Sequence, residues 1–247
     1  MNYQEDQLTK AFEQLVQERR SVRVYDQEEP FDHDAVQRSL EKAVLSPNSS
    51  NMQLWEFYRI KDNTLKDKIG QYCMRQKAAT TARELVVVVV RPDLWKKRQQ
   101  ANVTQMEKVT AHLDAKARKR AMSYYTSLIP KLYGKNDKLG ISSFVKRIIA
   151  SWIGWKKPMV REVGRSDVRV TVHKSAALAS MTFMYAMKAE GYDTCPMEGF
   201  DSKRVKKVLG LPSAAEICMI IGCGKGAEGG VYSERFRIDN EEVIFTK

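Results

Sequence analysis

Glu84-Leu85-Val86-Val87-Val88-Val89-Val90-Arg91-Pro92 is the stretch on which the fold turns. Its valines are β-branched, stiff at χ1 and at home on a pleated surface. Leu85 to Val90 shows no polar alternation, so it reads as a central strand buried on both faces. Ile217-Cys218-Met219-Ile220-Ile221 reads the same way and closes at Gly222-Cys223-Gly224. Glu56 to Ile60 reads as a further strand. Helical periodicity fills the intervals. Leu8, Phe12, Leu15 and Val16 share one face of 5–18, and Val36, Leu40 and Val44 one face of a helix capped by Asp32 or Asp34. Leu65, Ile69, Tyr72 and Cys73 line a helix over 63–81, and an apolar run from Ala176 to Ala189 stops at Gly191, a left-handed cap. Strands separated by long helices argue for a mixed α and β domain with one main sheet.

Length and composition narrow the class. A chain of 247 residues, 43% hydrophobic and 29% charged, can bury a substantial core. Met1 to Gln17 has no apolar h-region, which argues against a secretory signal, and the Leu85–Val90 run is far too short to span a bilayer. Cys73, Cys195, Cys218 and Cys223 lack CxxC spacing and suit a reducing cytoplasm as free thiols. His33, His112 and His173 are scattered, which argues against a metal site. The net charge of +12 is concentrated: residues 91–157 hold 16 Lys and Arg against 4 Asp and Glu, and the rest of the chain is balanced. This segment is expected to be a basic insertion, spanning about 91–169, within a single domain 1–247.

The insertion has a helical first part, Asp93 to about Ser127, dense in Lys and Arg. Its second part carries Phe144, Ile148 and Trp152, with Val145, Ile149 and Ile153, at helical spacing, among Lys146, Arg147, Lys156 and Lys157. That pattern fits a helix docked on the core or on a partner subunit. It also fits an interfacial membrane helix over 141–157, whose signature is basic residues plus Trp. A nucleic-acid patch ranks lower, because no nucleic-acid module accompanies it.

Four short motifs carry chemistry. Arg19-Arg20-Ser21-Val22-Arg23 is either a solvated face or a phosphate site, since guanidinium forks match phosphate oxygens and Ser adds a hydroxyl. Ser46-Pro47-Asn48-Ser49-Ser50-Asn51-Met52-Gln53-Leu54-Trp55 is either a plain turn or a loop of amides and hydroxyls facing a heterocycle. Cys195-Pro196-Met197-Glu198-Gly199-Phe200-Asp201 reads as a rigid turn between two helices, with free N–H groups at Glu198 and Gly199 and Asp201 as the next N-cap. It is an ordinary connection or a backbone edge held against a flat ligand. Near the C-terminus, Arg235 and Arg237 alternate around Phe236, and with Lys225 they can clamp a phosphate. Gly222-x-Gly224 is no dinucleotide fingerprint, because no helix follows it.

Taken in order, these four motifs resemble those of the FMN-dependent nitroreductase family across residues 18–90 and 170–238. Leu54 stands where the family usually has Pro. The resemblance implies a nitroreductase-like α+β sandwich, with a central mixed or antiparallel sheet flanked by helices, forming an intertwined homodimer with FMN at the interface. It implies that Arg19, Arg20, Ser21 and Arg23 anchor the phosphate and ribityl chain, closed by Arg235, Arg237 and Lys225. Pro47, Asn48, Ser49, Ser50 and Asn51 match the loop that the other subunit lays on the isoalloxazine. Gln71 and, on the long core helix, Ser175 fall where the family contacts the ring. Pro196, Met197, Glu198 and Gly199 match the backbone along it, with an N–H near flavin N5. The implied activity is ping-pong transfer of hydride from NAD(P)H to a nitroaromatic, quinone or similar small-molecule acceptor, with no protein acid, base, nucleophile or metal. Alternatives are a dehalogenating or ene-reducing flavin reductase, or a basic peripheral membrane or nucleic-acid-binding protein on the same scaffold.

Overall fold

The computed structural model describes residues 3–134 and 141–247. Four strands form one sheet in the order β1-β2-β4-β3: β1 (Trp55–Ile60), β2 (Glu84–Val90), β3 (Asp193–Met197) and β4 (Glu216–Gly224). All paired neighbours are antiparallel. β2 is central and wholly buried, as its unbroken apolar run requires. Val86, Val88 and Val90 enter one core with Phe183, Met187 and Ile221, whereas Leu85, Val87 and Val89 enter a second with Ile69, Val205 and Ile220. A bulge shifts the register between Val88 and Val89, which pair with Met219 and Ile217 and leave Cys218 as the extra residue.

Helices cover both faces. Helix α1 (Tyr3–Glu18) is followed by α2 (His33–Ala43), whose N-cap Asp32 accepts from the Asp34 N–H. Between β1 and β2 lie α3 (Asn63–Tyr72) and α4 (Lys77–Thr80). The basic segment forms α5 (Trp95–Val109), α6 (Ala115–Ser123), α7 (Ile129–Tyr133) and α8 (Ile141–Lys156). The long α9 (Arg165–Ala189) ends where Gly191 takes φ +84°, and α10 (Ser202–Val208) precedes β4. Helices α2 and α9 pack on one face, α3, α4 and α10 on the other.

Three expectations are corrected. The helix expected over 63–81 breaks after Tyr72, because Met74 and Arg75 turn left-handed at φ 55° and 53°. The helix expected over 93–127 breaks at Thr110–Asp114, where Asp114 caps α6 by accepting from the Lys116 and Ala117 N–H groups. The expected turn at Cys195–Asp201 is in its first half the edge strand β3. Pro196 is tolerated there because an edge strand has one unpaired side.

Two features lock the sheet. Glu84 is fully buried, and its carboxylate accepts from Arg59 Nε at 2.7 Å and lies 2.6 Å from His33 Nδ1. Arg59 also donates to the His33 carbonyl. Gly222-x-Gly224 has a packing cause. The Tyr25 hydroxyl donates to the Gly222 carbonyl at 2.8 Å, and its ring lies so close to Gly224 that a Cβ there would meet it at 2.8 Å. A Cβ on Gly222 would lie 2.2 Å from the Ala78 carbonyl oxygen.

Candidate functional site

The chain leaves α1 into Arg19-Arg20-Ser21-Val22-Arg23 and runs beside the edge strand. Ser21 forms a parallel bridge with Thr194, the Val22 N–H donates to the Thr194 carbonyl at 3.2 Å, and the Arg23 N–H donates to the Gly230 carbonyl at 2.7 Å. The C-terminal segment folds back over this stretch. Arg235 donates to the carbonyls of Val16 at 3.0 Å and of Gln17 and Arg19 at 2.8 Å each. These include the carbonyls that the end of α1 leaves unpartnered and partly negative, so a cation there is favoured. Arg20 donates to the Ser233 carbonyl at 2.6 Å, and the Arg23 guanidinium sits 5.7 Å from the centre of the Tyr232 ring.

The outcome is a cavity of about 300 Å³ lined by Arg19, Arg20, Arg23, Arg235 and Arg237, with Ser21 and Glu234 at its wall. Among the described residues, none of these five guanidiniums forms an ion pair. Burial lowers the pKa of Arg19, and the neighbouring cations Arg235, Arg237 and Arg20 push the same way against Tyr185. Like charges gathered without counter-ions, and held by backbone carbonyls, make a cradle for a multiply charged anion. Tyr232, which supports Arg23, escaped the sequence reading: an aromatic five residues before Arg237 acquires its role only through the fold.

The same sheet edge leads into Pro196-Met197-Glu198-Gly199. Thr194 and Cys195 are buried, while Glu198 and Gly199 are exposed. Phe200 donates to the Glu198 carbonyl at 3.2 Å and Asp201 to the Tyr72 carbonyl at 2.8 Å. Among the described residues, the Glu198 and Gly199 N–H groups have no hydrogen-bond partner. Asp201 caps α10 by accepting from the Arg204 N–H at 3.0 Å. The segment is held from outside by Gln76, whose Nε2 donates to the Gly199 carbonyl at 2.8 Å and to the Cys73 carbonyl at 3.0 Å. Gln71 lies exposed on α3. Gln76 reaches Gly199 because the left-handed pair Met74-Arg75 turns the chain back, and neither residue carries a sequence signal for such backbone.

The loop Pro47–Asn51 lies elsewhere. The Ser49 N–H donates to Ser175 Oγ at 3.2 Å, and Ser175 in turn donates to the Thr171 carbonyl at 3.1 Å. Ser50 Oγ is 2.6 Å from the Tyr124 hydroxyl, and Asn51 exchanges two hydrogen bonds with Asn102 on α5. Ser50, Asn51 and Gln53 have φ of 56°, 49° and 47°, backbone that costs a non-glycine residue about 1–2 kcal/mol. Asn48 Oδ1 accepts the Gln53 N–H at 2.8 Å and offsets part of this. Along α9, Ser175 at this loop and Tyr185 beside Arg19 are ten residues apart, about 15 Å. Lys225 is also off the cavity wall, its amine donating to the Gly191 carbonyl at 3.2 Å.

The cysteines offer no nucleophile at this edge. Burial pushes Cys73 and Cys218 up to about 11, raises Cys195, and raises Cys223 well above the ordinary thiol value. The arrangement is suited to binding and orientation rather than to acid–base or covalent chemistry.

Known proteins resemble this chain over nearly its whole length. The model of the nitroreductase family matches residues 16–225. DrgA of Synechocystis is 26% identical over 213 residues, 86% of this chain and 83% of DrgA. MhqN of Bacillus subtilis, which carries the name of an NAD(P)H nitroreductase, is 25% identical over 87% of this chain and 88% of its own. Among solved structures, YdfN of Bacillus subtilis superposes with a TM-score of 0.72 at 22% identity, covering 97% of this chain and 100% of that one. A protein of Exiguobacterium sibiricum, described as a nitroreductase in complex with FMN, superposes with a TM-score of 0.65 at 20% identity over 96% and 97% of the two chains.

Proposed function

This chain belongs to the nitroreductase family, and from that premise we propose that it is an FMN-dependent oxidoreductase that passes reducing equivalents from NAD(P)H to a nitroaromatic, quinone or similar acceptor. The observation that carries the reading is the row of five guanidiniums around one cavity, continuous along the sheet edge with two unpartnered N–H groups. Arginine forks suit a phosphate dianion, and Gly199, with no Cβ, suits a flat ring laid on backbone. A Cβ on Gly199 would press to 3.1 Å from Gln76 Nε2.

FMN supplies the hydride chemistry between donor and acceptor when bound. The chain's part is positioning and electrostatics. Arg19, Arg20, Arg23, Arg235 and Arg237 would hold the phosphate, with Ser21 adding a hydroxyl. The Glu198 and Gly199 N–H groups would serve as donors to the ring, and Gln76, bonded to the Gly199 carbonyl, keeps that backbone from swinging away. Preorganised donors and cations of this kind favour negative charge.

The site needs a second copy. Ser175 behind the Pro47–Asn51 loop and Tyr185 near Arg19 stand about 15 Å apart along α9, and we assign the loop, as the family resemblance implies, to the ring of a two-fold partner. Apolar side chains left open on α1 (Leu8, Phe12), on α9 (Leu178) and in the C-terminal segment (Phe236, Ile244, Phe245) give such a pairing surface to bury. A steady-state screen of nitroaromatics, quinones, enones and halogenated phenols with NADH and NADPH tests the reading. Acceptor-dependent NAD(P)H oxidation with parallel initial-rate lines is expected; no oxidation with any acceptor in FMN-loaded protein would refute it.

A further inference from the structure

Helix α8 presents two faces. Ala150 is buried, with Lys146, Ile153 and Gly154 half-buried beside it. Lys146 donates to the Leu132 carbonyl, and Arg147 bonds Ser166 and Asp167. The opposite face carries Phe144, Val145, Ile148, Ile149, Trp152 and Trp155. Trp152 is 71% exposed, Trp155 86% and Phe144 66%. At 100° per residue these six positions occupy an arc of about 140°. Met159 and Val160 continue the apolar surface past the helix end.

We propose that this outward face docks on the surface of an anionic phospholipid bilayer. Its composition is that of an interfacial helix: aromatic and aliphatic side chains on one side, with Lys156, Lys157 and Arg161 exposed at its C-terminal end and exposed Arg165 beside its first turn, where the Arg165 N–H donates to Ser143 Oγ. Trp is the side chain best suited to the headgroup boundary, being apolar in body with one N–H donor. The helix has 16 residues, about 24 Å, short of the roughly 30 Å needed to span a bilayer. Among the described residues, no helix is long and apolar enough to cross one. The helix therefore lies along the surface.

Charge selects the occupant. Residues 91–157 hold 16 basic against 4 acidic residues, so stacking two such faces around a two-fold axis would bring like charge together. An anionic leaflet instead attracts basic residues next to the buried apolar face, and the attraction fades with salt.

The test needs no flavin chemistry. The full-length protein is sedimented with vesicles of phosphatidylcholine alone and of phosphatidylcholine mixed with phosphatidylglycerol, at low and high salt. Binding is expected to the anionic vesicles, to weaken with salt, and to fall about tenfold or more in Trp152→Ala/Trp155→Ala. Trp emission should shift to the blue on binding. Circular dichroism and urea unfolding verify that the variant is folded. No vesicle binding, or equal binding by the variant, would overturn the proposal. So would light scattering that shows an assembly larger than a dimer which the variant dissolves, because the face would then join copies of this chain. Retention on DNA that the variant loses, without vesicle binding, would overturn it in favour of a nucleic-acid surface.

Discussion

Replacing Arg19 with Met separates anion binding from folding, because the two effects should carry opposite signs. Arg19 is half-buried at the cavity wall, and its guanidinium forms no ion pair among the described residues. In the protein without ligand it bears a cost, visible as a pKa lowered by burial and by Arg235, Arg237 and Arg20. Met keeps the apolar stem and removes that cost, so stability against urea should hold or rise by up to ~1 kcal/mol. With the anion bound, the same guanidinium contributes one charge-assisted interaction of about 1.5–3 kcal/mol. FMN affinity should therefore fall about 10- to 150-fold. Fluorescence titration of FMN into wild-type and variant apoprotein measures the second effect, and urea unfolding of the same samples the first. Unchanged FMN affinity, or a stability loss matching the affinity loss, would refute the reasoning.

Other perturbations test separate parts. Arg59→Met leaves the Glu84 carboxylate buried without its guanidinium partner and should cost about 3–5 kcal/mol in urea unfolding. Gly222→Ala drives a Cβ to 2.2 Å from the Ala78 carbonyl and should cost about 1–3 kcal/mol or more, seen as a lower Tm. Because burial pushes Cys73 and Cys218 up to about 11, native protein should resist iodoacetamide at neutral pH. Labelling should rise as pH climbs toward that value and the thiolate fraction grows, with half-buried Cys218 leading, as peptide mass mapping would reveal. Gln76→Ala removes the amide that holds the Gly199 carbonyl and should speed exchange of the hydrogen-bonded Phe200 and Asp201 amides while leaving β4 protected.

The sheet was legible where one residue type dictates one environment. Leu85 to Val90 reads as a strand because its run is short and β-branched, and its lack of polar alternation puts it inside the sheet. β3 hid because it has five residues, contains Pro196, and owes its existence to pairing with β4. The break at Met74-Arg75 was silent because neither residue favours left-handed backbone; tertiary contacts impose it. Of the site, the N-terminal arginines could be read as donors but not as neighbours. Arg235 joins them only through three hydrogen bonds to carbonyls more than two hundred residues away in sequence. Gln76 and Tyr232 were invisible for the same reason.

The central claim is that the basic cavity and the Pro196–Gly199 edge together hold FMN. Purification from cells followed by a visible spectrum, heat release and chromatography of the chromophore tests it most directly. A yellow protein is expected that releases FMN and loses its visible absorbance when NADH or NADPH is added without oxygen. A colourless protein that also fails to bind added FMN would contradict it.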